Sequence, residues 1–246
     1  MYTFPVMKKV VGALEQSSHI FVAGDSMAVR AYTPYQRDIG DLDLIFPYDP
    51  AQVAQLQEFV LRRFPECKNE PCVTTGKEGQ HGAFLRTRFP IPIEYKMERH
   101  FIIDFHFGGS MYKGDLRYAA PAAFFEQRQL LPVSSVNRLH QMNLPVPSAE
   151  WLLHFKLLKF LGKDNYDVMS LLLAGKPDMN ELMNCLGTGD APVLLQHLET
   201  FEDLPDELCH SWEKFHYCAL KKNDRHNLKA HLKKIKKLLY EFDDRN

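Results

Sequence analysis

The sequence lacks the features that mark membrane, secreted or disulfide-stabilised proteins. No apolar stretch approaches the roughly 18 residues that a membrane span needs. The first residues do not contain the long hydrophobic region of a secretory signal. The five cysteines are an odd number scattered over 246 residues, which is not the pattern of a disulfide framework. We therefore expect a cytoplasmic protein with reduced thiols.

The chain also lacks an excess of charge of one sign. Its formal net charge is −1, so there is no global field that attracts nucleic acid. Basic side chains are nevertheless concentrated between Lys221 and Lys237, where Asp224 is the single acid. The same region carries apolar residues at helical spacing: Leu228, Leu232, Ile235, Leu239 and Phe242. We predict an amphipathic helix whose lysines either face solvent or contact an RNA or phosphate backbone.

Several motifs of nucleotide, zinc and hydrolase chemistry are missing. The segment Gly76–Gly82 is not a P-loop, because no Ser or Thr follows its lysine and the glycine spacing is wrong. We expect a mobile loop there. Cys67 and Cys72 lack a second close Cys or His pair, which argues against zinc. The serines show no nucleophile-elbow context, which argues against a serine hydrolase.

The most informative feature that is present is the segment Asp41-Leu42-Asp43, set between apolar residues. In a strand, successive side chains point to opposite faces, so Leu42 and Leu44 can enter a core while the two aspartates share the other face. Neighbouring carboxylates repel each other unless a cation lies between them. Oxygen ligands of this kind suit Mg²⁺ bound together with nucleotide phosphates. The pattern indicates phosphoryl or nucleotidyl transfer.

A third carboxylate is needed if two metal ions are to orient both reacting oxygens. Asp104 offers one, in the apolar strand-like segment Phe101–Phe107. A buried, unpaired carboxylate is costly, so Asp104 is expected to have a metal or a firm hydrogen-bond partner, unless it faces water at a sheet edge. Glu94 is the substitute, and His106 is more typical of a packed core histidine than of a ligand.

A turn built from Gly24, Asp25 and Ser26 lies where a strand is followed by a helix. Free backbone N–H groups and a helix N-terminus attract phosphate at such a position. Most turns of this composition are only turns. The location one helix before the aspartate pair predicts that the turn and the metal hold a triphosphate from two sides.

The order of elements predicts two halves. Residues 1–135 alternate helical and strand-like patterns and indicate an α+β domain with a mixed or antiparallel sheet, including a strand over Ile93–Met97. The Pro- and Ser-rich segment 129–148 is interpreted as a connection. Residues 146–246 indicate an all-α domain, in which Ser148 caps a helix that runs to Gly162.

That first predicted helix of the second half carries a row of lysines. Lys156, Lys159 and Lys163 fall at helical spacing on one face, where they could neutralise a triphosphate. A solvated basic face is the alternative. Asp164 and Asp167 could support a nucleotide or hold the lysines, and Asp164 could instead only stabilise the helix dipole.

Four segments together resemble the polymerase-β-like nucleotidyltransferases, in particular their AbiEii-type toxin branch. Val22–Arg30 resembles the Gly-Gly turn and following helix, and Arg37–Leu44 resembles the Arg-x-Ser/Thr-x-Asp-h-Asp strand. Pro147–Leu157 is similar to the lysine-bearing helix and Lys163–Val168 to the Arg/Lys-Asp-x-x-Asp-Leu box. The match departs in two places. Asp25 or Ala23 replaces one of the paired glycines, and Ile39 stands where Ser or Thr is usual.

The resemblance implies transfer of a nucleoside monophosphate from an NTP to an acceptor hydroxyl. Together with the strand pattern around Asp104, the resemblance predicts catalytic roles for Asp41, Asp43, Asp104 and Lys156, with magnesium on the three aspartates. It implies nucleotide-binding roles for Gly24, Asp25, Ser26, Arg37, Lys159, Asp164 and Asp167. The acceptor could be a tRNA or other RNA end, a protein, or a small molecule such as an aminoglycoside, and the protein could be a toxin with a separate antitoxin. The alternative is a non-catalytic RNA- or antitoxin-binding protein of the same fold.

Overall fold

The computed structural model describes most of the chain in nine stretches. These are residues 3–17, 19–35, 40–77, 80–91, 99–112, 115–135, 138–160, 162–201 and 204–244. The chain divides into two compact units. The first comprises residues 1–31 and 38–147, and the second comprises residues 32–37 and 148–246.

Helices and strands alternate at the start of the first unit, and strands dominate its remainder. The helices are α1 (Thr3–Gln16), α2 (Asp25–Tyr32), α3 (Pro50–Arg63) and α4 (Ala122–Glu126). The early strands are β1 (Val22–Ala23), β2 (Asp41–Phe46), β3 (Lys68–Asn69), β4 (Val73–Lys77) and β5 (Gln80–Ile91). The later strands are β6 (Arg99–Phe107), β7 (Gly109–Tyr112), β8 (Asp115–Ala119), β9 (Gln129–Ser134) and β10 (Gln141–Val146).

Six of the strands form one mixed sheet in the order β1-β2-β6-β5-β3, with β4 also paired to β5. Strands β2 and β6 run parallel, and the other pairs of this sheet are antiparallel. The alternating residues Leu42 and Leu44 of β2 and Ile103 and Phe105 of β6 are fully buried. The predicted α+β architecture with a mixed sheet is confirmed, and its polar face is the one that carries the aspartates.

The second unit is all-helical, as predicted. Its helices are α5 (Ala149–Lys159), α6 (Asp164–Ser170), α7 (Met179–Asn184), α8 (Asp190–Glu199), α9 (Asp206–His216) and α10 (Lys222–Asp243). A π-helical turn, Leu171–Gly175, follows α6. Ser148 caps α5, because its Oγ accepts a hydrogen bond from the Trp151 N–H at 3.3 Å. Helix α10 buries Leu228, Leu232, Ile235 and Leu239 on one side.

The interpretation of residues 129–148 as a connection is wrong. Strands β9 and β10 form an antiparallel two-stranded sheet, with Pro132 opposite Asn143 and Pro145 opposite Leu130. Proline is tolerated because each strand of such a pair has a free edge, where a missing N–H breaks no ladder. The same prolines and serines that suggest a loop are therefore compatible with a hairpin.

The expected lysine row on α5 is also wrong. The helix ends at Lys159, because Phe160 adopts a left-handed backbone with φ of 41° and its N–H bonds back to the Lys156 carbonyl. Lys163 precedes α6 and is not on α5. Lys156 is fully buried, so it belongs to no solvated basic face.

Two other sequence predictions concern the region of the sheet. Gly76 pairs with His81 and Gly82 pairs with Thr75, so these ends of the expected loop belong to strands β4 and β5. Glu78 and Gly79, between the two strands, lie outside the described residues. Glu94 and the predicted strand Ile93–Met97 lie outside the described residues. Within the described part of the chain, none of the helices has the length and apolar character needed to cross a bilayer.

Candidate active site

Three neighbouring strands bring charged side chains to one face of the main sheet. Asp43 on β2 lies opposite Asp104 on β6, and Asp104 lies opposite Arg86 on β5. Asp41 is two residues before Asp43 and therefore shares its face. Backbone pairing thus places the side chains of Asp43, Asp104 and Arg86 in a row across three neighbouring strands of the sheet.

Asp104 is held by Arg86 through two hydrogen bonds. Arg86 Nε donates to Oδ1 at 2.8 Å and Nη2 donates to Oδ2 at 2.7 Å. The Asp104 side chain is 5% exposed and that of Arg86 is 34% exposed. The pKa of Arg86 is raised above its ordinary value, first by this hydrogen bonding and then by the charges of Asp104, Glu70 and Asp41. Asp104 therefore has the firm partner that its burial requires.

Asp43 is held by His106 from the parallel strand. Nε2 of His106 lies 3.0 Å from Asp43 Oδ1, and the Met111 N–H donates to His106 Nδ1 at 3.1 Å. Because Nδ1 accepts a hydrogen bond, the ring proton is on Nε2, which donates to Asp43. Phe84 packs against the imidazole, with 5.1 Å between ring centroids. The hairpin strand β7 thus orients the histidine, and the histidine orients the carboxylate.

Asp43, Asp104 and His106 each place a potential ligand atom within 4.8 Å of the others. The protonated Nε2 of His106 has no lone pair for a metal, so the carboxylate oxygens remain as the donors of this group. Asp43 Oδ1 accepts from His106, which leaves Oδ2 to a cation, and the Asp43 side chain is 18% exposed. Asp41, half-buried, is outside the 4.8 Å group but on the same face of the described sheet. This oxygen donor set suits Mg²⁺.

The turn at Gly24 is attached directly to the aspartate strand. Its N–H donates to the Asp43 carbonyl at 2.9 Å, and its own carbonyl accepts from the Ala28 N–H at 3.3 Å as α2 begins. A Cβ at Gly24 would lie 2.8 Å from Ile45 Cδ1, so only glycine fits this approach without a shift. The turn is therefore fixed beside the residue that carries the proposed metal ligand.

Asp25 and Ser26, the next two residues of the turn, are both buried. Asp25 has a φ of 50°, in the left-handed region that glycine adopts most easily and aspartate tolerates. Of the two residues that could replace the second glycine of a Gly-Gly turn, Asp25 has the backbone that glycine would suit, and Ala23 lies in β1.

The remaining predicted residues lie in the helical unit, where Lys156 joins two acids. Lys156 Nζ is 2.7 Å from Asp164 Oδ1 and 2.7 Å from Asp167 Oδ2. All three side chains are at most 1% exposed. Lys159 is half-buried, with its Nζ 5.4 Å from the centre of the Phe155 ring. Arg37 lies outside the described residues.

Sequence reasoning missed the role of Arg86 and the partner of His106. Arg86 occupies a polar position that alternates with the buried residues Leu85 and Thr87, so strand periodicity places its side chain on the other face of β5, and the pairing with β6 makes this the aspartate face. His106 is buried, as expected of a core histidine. Its contact with Asp43 joins residues 63 apart in sequence, which no local pattern reports.

No protein-family model matches the chain, and no curated protein matches it significantly in sequence. Solved structures do match. The crystal structure of JHP933 from Helicobacter pylori is 12% identical, covers 98% of this chain and 93% of that one, and gives a TM-score of 0.50, a likeness of fold. A putative nucleotidyltransferase from H. pylori is 12% identical over 96% and 94% of the two chains, with a TM-score of 0.49. ANT(2″)-Ia in complex with adenylyl-2″-tobramycin is 10% identical over 100% and 99%, with a TM-score of 0.40.

Proposed function

We propose that this protein is a magnesium-dependent nucleotidyltransferase that moves a nucleoside monophosphate from an NTP to an acceptor hydroxyl. One observation carries the proposal. Asp43 and Asp104 are in register on parallel strands, and the Gly24 turn is hydrogen-bonded to the backbone of Asp43. The site thus combines oxygen ligands for a cation with a strand-to-helix turn suited to phosphate.

Asp41 and Asp43 would hold the Mg²⁺–NTP. The bound ion supplies charge neutralisation for the triphosphate and its departing pyrophosphate. His106 keeps the Asp43 carboxylate in one orientation, and Arg86 keeps a positive charge beside Asp104. Catalysis on this proposal is mainly positioning and preorganised electrostatics, because the side chains make no covalent bond to the substrate.

Ser26 would contact the phosphates through its backbone N–H at the start of α2. Gly24, whose own N–H donates to the Asp43 carbonyl, has no side chain and would let the phosphates approach the turn closely. Asp25 adds a negative charge to this turn, which we propose alters nucleotide choice or lowers the rate relative to a Gly-Gly turn. The phosphate-binding roles predicted for Lys156, Lys159 and Arg37, and the supporting roles of Asp164 and Asp167, remain predictions. In the helical unit Lys156 is paired with the two aspartates.

The acceptor is tested by following the label of an α-³²P-labelled NTP. Purified protein is incubated with Mg²⁺, each of the four NTPs in turn, and total RNA, a protein extract, or an aminoglycoside mixture. Label in RNA or tRNA, in protein, or in the small-molecule fraction identifies the acceptor class. A toxin role would be indicated by growth arrest on expression that Asp43→Asn relieves.

The decisive comparison is between Asp43→Asn and Asp115→Asn. Asp43→Asn keeps the size of the side chain and removes the charge that the cation needs, so label transfer is expected to vanish. Asp115 is an exposed aspartate on β8 of the same unit, and its amide variant should keep the wild-type rate. Transfer that survives Asp43→Asn in every fraction would overturn the proposal.

A second function, RNA binding without catalysis, is favoured by the surface of α10. Lys222, Lys229, Lys233 and Lys237 are exposed along this helix, while Leu228, Leu232, Ile235 and Leu239 are buried. A row of lysines is suited to a phosphate backbone, and binding through it should weaken steeply as salt is raised. RNA retention on a filter that persists in Asp43→Asn, together with the absence of label transfer by the wild type, would favour this function over the enzyme.

A further inference from the structure

Arg86 places a positive charge directly beside Asp104, the carboxylate predicted to help hold a second metal ion. We propose that the Arg86 guanidinium takes the place of that ion at Asp104, so that the site binds a single divalent cation, at Asp43. The inference rests on the proposed function, because it concerns the cation content of the same site.

The first support is the geometry of Asp104. Both of its oxygens already accept a hydrogen bond from Arg86, at 2.8 and 2.7 Å. The two residues face each other across the β5–β6 ladder, so the backbone holds the pair in place. A metal at Asp104 would either displace one of these bonds or use the remaining lone pairs of the same oxygens beside the guanidinium charge, which repels it. A bidentate pair between arginine and carboxylate is also among the stronger hydrogen-bonded pairs in proteins.

The second support is the charge of the sheet face. Asp41, Asp43 and Asp104 contribute three formal negative charges to this face, and Arg86 contributes one positive charge. The net charge of these groups is therefore about −2, which one divalent cation balances. A second divalent ion would leave the same groups with an excess of positive charge before substrate arrives.

The third support is that Arg86 keeps a donor for substrate. Its pair with Asp104 uses Nε and Nη2, so Nη1 is not part of that contact. The side chain is 34% exposed, which gives a ligand access to it. Arg86 is thus a positioning residue that holds Asp104 and is suited to donate to a phosphate or acceptor oxygen beside the single metal.

The test counts manganese in the full-length protein by electron paramagnetic resonance. Mn²⁺ is added with each of the four non-hydrolysable α,β-methylene NTP analogues. We expect the wild type to give the spectrum of isolated Mn²⁺, without the coupling that two ions about 4 Å apart would produce. Asp104→Asn should leave this spectrum unchanged, and Arg86→Met should give a coupled pair that the added change Asp104→Asn removes. Arg88→Met is the matched control, because Arg88 lies on the same strand but pairs with Glu70.

A coupled pair in the wild type that Asp104→Asn reduces to a single ion would overturn the inference and leave the proposed function standing. An Arg86→Met protein that still binds one isolated ion would also overturn it. If the wild type and Asp43→Asn give the same Mn²⁺ signal, the result contradicts the proposed function itself. If Arg86→Met fails to fold, the wild-type and Asp104→Asn spectra decide the question alone.

Discussion

His106 Nε2 lies 3.0 Å from Oδ1 of Asp43, and the Met111 N–H bound to the opposite ring nitrogen makes the histidine the donor of this hydrogen bond. The bond joins two parallel neighbouring strands, β2 and β6. It holds one carboxylate oxygen and leaves the other to a cation. A hydrogen bond of this kind between two side chains would tune the affinity for a metal at Asp43 without touching the metal.

The first prediction concerns this histidine. His106→Leu removes the donor and should weaken Mn²⁺ binding about 10- to 100-fold, because Asp43 loses its fixed orientation. His106→Gln can still donate from its amide and should recover part of the affinity. Titration of Mn²⁺ with the nucleotide analogue measures both variants. Equal affinities for His106→Leu and His106→Gln would contradict a positioning role.

The second prediction concerns the close approach of the turn to β2. Gly24→Ala places a Cβ at 2.8 Å from Ile45 Cδ1, so the free energy of unfolding should fall by about 1–3 kcal/mol. Adding Ile45→Val removes Cδ1 and should restore part of the loss. Gly12→Ala is the control, because a Cβ there meets no atom within 4 Å and lies in α1, where alanine should stabilise by about 0.4–1 kcal/mol. Urea unfolding of the wild type, Gly24→Ala, Gly24→Ala with Ile45→Val, and Gly12→Ala measures the expected order of stability. A Gly24→Ala protein as stable as the wild type would refute the contact.

The third prediction concerns the buried ion cluster of the helical unit. Lys156→Met leaves Asp164 and Asp167 without their common cation, and this should cost about 3–5 kcal/mol of stability. Lys159→Met, on the same helix but half-buried, should change the stability by less than about 0.5 kcal/mol. Thermal and urea unfolding compare the two variants. Similar losses for both would show that Lys156 does not stabilise the cluster.

The fourth prediction concerns the stability of the fold at low pH. Burial raises the pKa of Asp190, but the hydrogen bonds with His154 Nε2 and from the Gly187 N–H lower it by more, so it lies below its ordinary value of 3.8 in the folded protein. A depressed carboxyl pKa stabilises the fold above the unfolded pKa, and this stabilisation is lost as the pH falls through the folded pKa. Asp190→Asn should therefore lower the unfolding free energy at neutral pH, and the difference from the wild type should shrink near about pH 3. A difference that does not change between the two pH values would be inconsistent with this linkage.

Local patterns were sufficient for much of the fold. Alternation in β2 predicted that Leu42 and Leu44 are buried and that Asp41 and Asp43 share the other face. Helical spacing predicted the buried side of α10. Both predictions depend on how apolar residues repeat within a single strand or helix, and this repeat can be recognised from consecutive residues of the sequence.

The contacts of the site could be predicted only in part, because they depend on which strands pair. The register that sets Asp43 opposite Asp104 and Asp104 opposite Arg86 is a long-range property. The hairpin β9–β10 was missed because Pro132 and Pro145 suggest a loop unless an unpaired strand edge is known to accept them. Lys156 was expected near phosphate, whereas its burial depends on how α6 brings Asp164 and Asp167 against it.

The most direct test of a cation held by the aspartate face is anomalous diffraction from crystals grown with Mn²⁺ and an α,β-methylene NTP. The account predicts a manganese peak at bonding distance, roughly 2.2 Å, from Asp43 Oδ2, with the triphosphate beside the Gly24 turn. A nucleotide bound with its metal away from Asp43, or crystals of Asp43→Asn that show the same peak, would contradict it.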